Sequence, residues 1–179
     1  MKTLIAKRWL FSLSTCILVI LTLISCIFPQ RQNEINGTEQ CLNVGEDGDE
    51  RRLYCFRDIV VNKSQRNRER EKAFSKLIES WSHRDGSAAF VLSDIFLDIL
   101  VSDYAFFFSQ MKDHPNAYNA WLPEVGDLSF VGLEYFALEN RRQKLISLLE
   151  DITDLNQDVD PLRERLLDAL RGVKPQQID

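Results

Sequence analysis

The chain has 179 residues, of which 45% are hydrophobic and 27% charged, with a formal net charge of −5 and only 7 glycines and 5 prolines. This composition excludes a mostly disordered chain, collagen and a disulfide-dense mini-protein. A body of this size buries about 70% of its unfolded surface and needs no metal or disulfide framework in order to fold.

The chain opens with Lys2, Lys7 and Arg8 and continues with Trp9 to Phe28, a run of 20 uncharged residues of which 15 are apolar. A soluble core does not use such a run; it reads as a membrane-directed leader. Near its end stands Leu23-Ile24-Ser25-Cys26, which resembles the lipobox of bacterial lipoproteins. The resemblance covers the leader alone. It implies removal of residues 1–25 and attachment of lipid at Cys26, whose thiolate is the side chain nucleophilic enough to accept a diacylglyceryl group. Stable anchoring takes more than one acyl chain, which a lipidated N-terminal cysteine supplies. The alternatives are an uncleaved signal anchor, because 20 residues at about 1.5 Å each span the roughly 30 Å hydrocarbon core, and ordinary cleaved secretion, for which no A-x-A-like site is evident. All three place residues 30–179 outside the cytoplasm. In a cell with two membranes, Ile27 in place of Asp after the cysteine favours forwarding to the outer membrane; in a cell with one, the domain stands on the outer face.

Residues 26–40 form a polar tether with Pro29, Gln30, Arg31, Gln32 and Asn33 and no periodicity. Cys16 lies in the leader and Cys26 is the lipid site, so Cys41 and Cys55 are the pair left for an oxidising compartment. A bridge between them closes a short loop, a contribution of about 3 kcal/mol in the chain-entropy model. Residues 41–62 thus read as a stapled loop or hairpin, with Ile59, Val60 and Val61 extending its second arm as a strand. Its acidic tip, Gly45 to Glu50, lacks the spacing of a calcium loop and reads as a solvated turn. Zinc is not expected, since there is no C-x-x-C and the two histidines are isolated.

Residues 63–175 carry helical punctuation. Phe74, Leu77, Ile78 and Trp81 follow i, i+3, i+4, i+7 and predict an amphipathic helix over 68–82. Ala88 to Val101 is apolar nearly all round and predicts a helix buried on most sides. Tyr104, Phe107, Phe108 and Met111 repeat the spacing behind Ser102 or Asp103 as cap. Pro115 opens a short helix with Tyr118, Trp121 and Leu122, which Pro123 and Gly126 curtail. A loop through Leu128, Phe130 and Val131 leads to a capping-box-like start at Asn140 and Gln143, with Leu145, Leu148, Leu149 and Ile152 as the stripe. Asp160-Pro161 begins the last helix, lined by Leu162, Leu166 and Leu170 and ended by Gly172. The expected class is all-α, an irregular helical bundle or a small HEAT-like α-solenoid, preceded by the stapled segment.

Charge is segregated. Residues 51–84 hold ten Lys or Arg against four Asp or Glu, whereas residues 85–170 hold six against sixteen. The basic stretch either faces an anionic membrane surface or complements the acidic body within one domain. The acidic balance speaks against nucleic acid as a partner.

The motifs of nucleophile elbows, phosphate loops and dinucleotide folds are all missing, and no catalytic residue, cofactor or metal site is expected. His83 and His114 read as turn residues. Asp94 and Asp98, at i, i+4, form the one candidate acid pair, and a carboxylate-dependent envelope hydrolase is the function they would imply. The stronger lead is aromatic: Phe106, Phe107, Trp121, Phe130 and Tyr135 are candidates for a groove with an acidic rim that takes a helix or extended peptide of a basic partner. The expectation is therefore a membrane-anchored, extracytoplasmic interaction protein of the accessory, assembly or immunity type. A carrier of a small apolar ligand between helices is the other non-enzymatic reading.

Overall fold

A computed structural model describes residues 37–42 and 49–178. The leader, Cys26, residues 26–36 of the tether and the acidic tip at 45–48 lie outside the described residues. What is described is all-α, with almost no sheet. In chain order it comprises α1 (Gly37–Leu42), α2 (Asp49–Val61), α3 (Asn67–Ser82), α4 (Gly86–Ser102), α5 (Tyr104–Asp113), α6 (Pro115–Trp121), α7 (Val125–Ser129), β1 (Val131–Gly132), α8 (Tyr135–Asp151), α9 (Asp160–Gly172) and β2 (Gln176–Gln177).

The staple is present: Cys41 is bonded to Cys55, with the Cα atoms 5.6 Å apart. Its arms are helical. Leu53, Phe56, Ile59 and Val60 are buried at i, i+3, i+6 and i+7, so the β-branched residues expected to run as a strand lie on a helix face packed against α3 and α4. Tertiary burial has overridden β propensity here.

α4 is the central element, with Leu92, Ile95, Phe96, Ile99 and Leu100 each fully buried. It begins where Asp85 accepts from the Ala88 amide at 2.8 Å. Asp103 ends it and starts α5: its amide donates to the Ile99 carbonyl at 2.8 Å and its carboxylate accepts from the Phe106 amide at 3.1 Å. Pro115 occupies the first turn of α6 and Pro161 that of α9, where a missing amide proton costs nothing.

Two departures from expectation follow Pro123. The stretch read as loop contains the short helix α7 and the strand β1, which pairs in parallel with β2. α8 starts at Tyr135, five residues before the predicted Asn140. The polar side chains there do not cap; Glu139 instead accepts from Arg142 and Gln143 one turn on, at 2.7 and 2.8 Å.

Candidate functional site

The five aromatic residues expected to line one groove do not meet in one. Phe107, Trp121 and Phe130 are each 0% exposed. Their rings interlock with others in the interior: Trp121 lies 5.7 Å from Phe96 and 5.8 Å from Phe107, both edge-on, and Phe107 lies 6.4 Å from Phe74. Phe106 is half-buried, 5.9 Å from Phe74 and beneath the Arg70 guanidinium at 4.1 Å. Tyr135 is exposed, with Phe136 as its ring neighbour. The reason is that α5 meets α3, α4 and α6 on different sides, so each of its aromatic directions finds an interior neighbour.

The interior holds a polar chain that the sequence did not announce. Trp121 Nε1 donates to Ser93 Oγ at 2.8 Å, and the Ser93 and Ser129 hydroxyls share a hydrogen bond at 2.7 Å. Both serines are buried, and without each other they would leave polar atoms unsatisfied.

An open groove does exist, between α4 and α8. It has a volume of 440 Å³ and a chiefly apolar lining. Leu97 and Val101 supply one wall, Ala137, Leu145 and Leu148 the other, with Asp98, Asn140, Arg141 and Lys144 at the rim. The α8 wall uses positions 137, 141, 144 and 148, one helical face. α8 spends its other face on α9: Leu149 and Ile146 are buried, and the Leu149 carbonyl accepts from Arg163 at 2.9 Å. Ala137 is too small to fill the space opposite α4, and Val101 remains 58% exposed. A second cavity, of 380 Å³, lies where the chain after α9 crosses α7, Val173 facing Gly126; its lining is more evenly polar and apolar.

Ion pairs frame the first groove. Arg141 donates to Asp94 at 2.9 Å and to the Ser129 carbonyl at 3.3 Å. Asp98 accepts from Arg57 of α2 at 3.3 Å. Just beyond the ends of the two helices, the Tyr104 hydroxyl donates to Asp154 at 2.9 Å, and this bond raises the phenol above its usual pKa. Lys144 has no such partner among the described residues. The rim is thus more basic than the acidic one expected, because Asp94 and Asp98 are neutralised by arginines from other elements.

Asp94 and Asp98 therefore do not face a common substrate space as an isolated acid pair. Each is about half exposed and engaged by a different arginine. His83 terminates α3, while His114 links α5 and α6 and stacks on Phe74 at 6.4 Å. Among the described residues no cluster of His, Cys, Asp or Glu is arranged to hold a metal ion, and no helix is long and apolar enough to cross a membrane.

The basic stretch is partly spent on the acidic body. Arg70 donates to Asp103 at 2.7 Å, Arg84 to Glu124 at 2.9 Å and Arg57 to Asp98, each between elements. No protein-family model matches this chain, and no curated protein or solved structure matches it either.

Proposed function

We propose that this chain is a membrane-anchored, extracytoplasmic interaction protein that takes an apolar helix of a protein partner in the α4–α8 groove. The observation that carries this reading is the groove itself: an apolar trough beside a helix whose other face is already committed to α9. Helix-in-groove recognition needs such a trough and a few fixed polar points at its edge. Lys144, without an ion-pair partner among the described residues, suits an acidic side chain on the incoming helix. The anchor is supported by the lipobox-like Leu23-Ile24-Ser25-Cys26 behind a charge-free run. On this reading the domain faces the periplasm from the outer membrane, or lies outside the cell membrane where there is only one. It assigns the protein no catalytic role and no cofactor.

The test is site-specific photocrosslinking in the native membrane. A crosslinker at Val101 or Ala137 should give one discrete protein adduct, and Leu148→Asp in the same chain should abolish it. Adduct formation unaffected by Leu148→Asp, or equal at exposed Ser75 on α3, would sink the groove assignment.

A second reading is favoured by the volume. A trough of 440 Å³ lies within the range of small-ligand sites, and its lining suits an apolar molecule. Native mass spectrometry of the gently extracted protein should then show a bound small molecule that Ala137→Trp displaces. The hydrolase reading predicts turnover lost in Asp94→Asn/Asp98→Asn, yet both carboxylates are tied to arginines.

A further inference from the structure

At the start of α8 the fold gathers an apolar corner that nothing among the described residues covers. Phe136 is 86% exposed, Leu133 70%, Ile178 52% and Tyr135 42%. The strand pairing brings these residues together: the Ile178 amide donates to the Gly132 carbonyl at 3.0 Å, immediately before Leu133. The Tyr135 and Phe136 rings stand edge to face at 5.9 Å. Exposing so much apolar surface costs free energy in water, so such a cluster marks a contact.

We infer that this corner seats on the lipid bilayer beside which the chain is tethered, inserting its aromatic and aliphatic side chains at the headgroup level. The inference rests on the anchor proposed above. Eight residues, 29–36, separate Phe28, the last of the charge-free run, from Gly37, where the described domain begins. Fully extended, that link spans about 30 Å, so Gly37 stays close to the bilayer. Tyrosine suits the membrane interface, where its hydroxyl stays wet while the ring is buried, and phenylalanine and aliphatic side chains insert beside it. A second copy of the chain is a poorer fit: the four side chains offer on the order of 500 Å², against roughly 800 Å² per partner in a stable interface. Glu134 lies within the corner, so its seat is a zwitterionic surface held by apolar insertion and not an anionic one held by charge.

The reporter is Phe136→Trp in the full chain. Trp9→Phe removes the one tryptophan outside the described residues, and Trp81 and Trp121 are buried. The protein is reconstituted into phosphatidylcholine vesicles, floated, and compared with and without bromine on the acyl chains. The expected result is flotation with a blue-shifted added emission that brominated lipid quenches, while Ser75→Trp on α3 is not quenched. Flotation without quenching at position 136, or equal quenching at both positions, overturns the seat and leaves the anchor standing. Failure to float removes the anchor and the seat together. A blue shift without quenching, accompanied by a doubled mass, assigns the corner to a second copy instead.

Discussion

Asp103 carries three tasks: its backbone amide ends α4, while its carboxylate caps α5 and pairs with Arg70. Arg70 is itself nearly buried, and donates also to the Val60 carbonyl at 2.7 Å, so the pair ties α2, α3 and α5. Burial alone would raise the Asp103 carboxyl. The Arg70 guanidinium and the Phe106 amide outweigh it and hold the group below its usual range. A carboxyl so lowered stabilises the fold above its unfolded value of about 4 and loses that stabilisation as pH falls through its folded value. Asp103→Asn keeps a capping side chain but not the charge. Its unfolding free energy should therefore lie below the parent's at neutral pH and converge with it as pH drops below about 4, in urea melts run across the pH range. The Ser93 hydroxyl offers an uncharged counterpart. Ser93→Ala leaves the buried Trp121 N–H without its acceptor, an expected loss of about 1–3 kcal/mol. A loss under a few tenths of a kcal/mol would mean that Ser129 takes over as acceptor.

Among the elements, α1 is held most lightly. It has six residues, too few for a helix to persist alone, and it places Thr38 and Cys41 in the interior. Thr38 donates to Glu69 at a long 3.4 Å, and the disulfide ties α1 covalently to α2. The bridge contributes about 3 kcal/mol through loop closure. Reduction should free α1 first: hydrogen exchange in Gly37–Leu42 should rise to that of an open chain, while the amides of α4 keep their protection. Simultaneous loss of protection in both would show the staple to hold the whole fold. α8 illustrates a different competition. Asn140 and Gln143 resemble a helix start, but α8 already begins at Tyr135, where the Leu138 amide donates to the Glu134 carbonyl at 3.1 Å. The strand pairing of β1 brings the chain to that point immediately before. The same Glu139 that binds Arg142 and Gln143 has its pKa lowered to about 2, the Arg142 hydrogen bond being the main cause.

For the molecule as a whole the decisive variable is the anchor. The intact mass of membrane-extracted protein should match residues 26–179 plus acyl chains, and Cys26→Ala should lose both the processing and the added mass. A full-length mass unaltered by Cys26→Ala would make residues 9–28 a retained anchor, and sorting by Ile27 would fall with it. Should the apolar corner seat on the bilayer, the groove, one wall of which is the α8 that begins at that corner, would be held near the membrane surface.

Helix periodicity in this chain is local, and most of the fold was legible for that reason. The stripe of α3, the capping Asp103, the proline starts of α6 and α9 and the glycine end of α9 each depend on residues within one or two turns. Cys41 and Cys55 were legible as a pair by elimination. The aromatic residues were not, because a sequence shows how many directions a helix must satisfy and not how many neighbours it will find. Phe107, Trp121 and Phe130 promised a groove and became the interior, since α3, α4 and α6 meet α5 on different sides and their rings fill the space between them. The open groove is lined instead by ordinary residues, Val101, Ala137 and Leu148, whose exposure follows from the distance between α4 and α8. That distance, the pairing of β1 with a strand 45 residues later and the arginines that neutralise Asp94 and Asp98 are all set by long-range packing. The expected address near the membrane rests on the first 28 residues alone; where a partner could sit was decided by which helix faces the tertiary structure left uncovered.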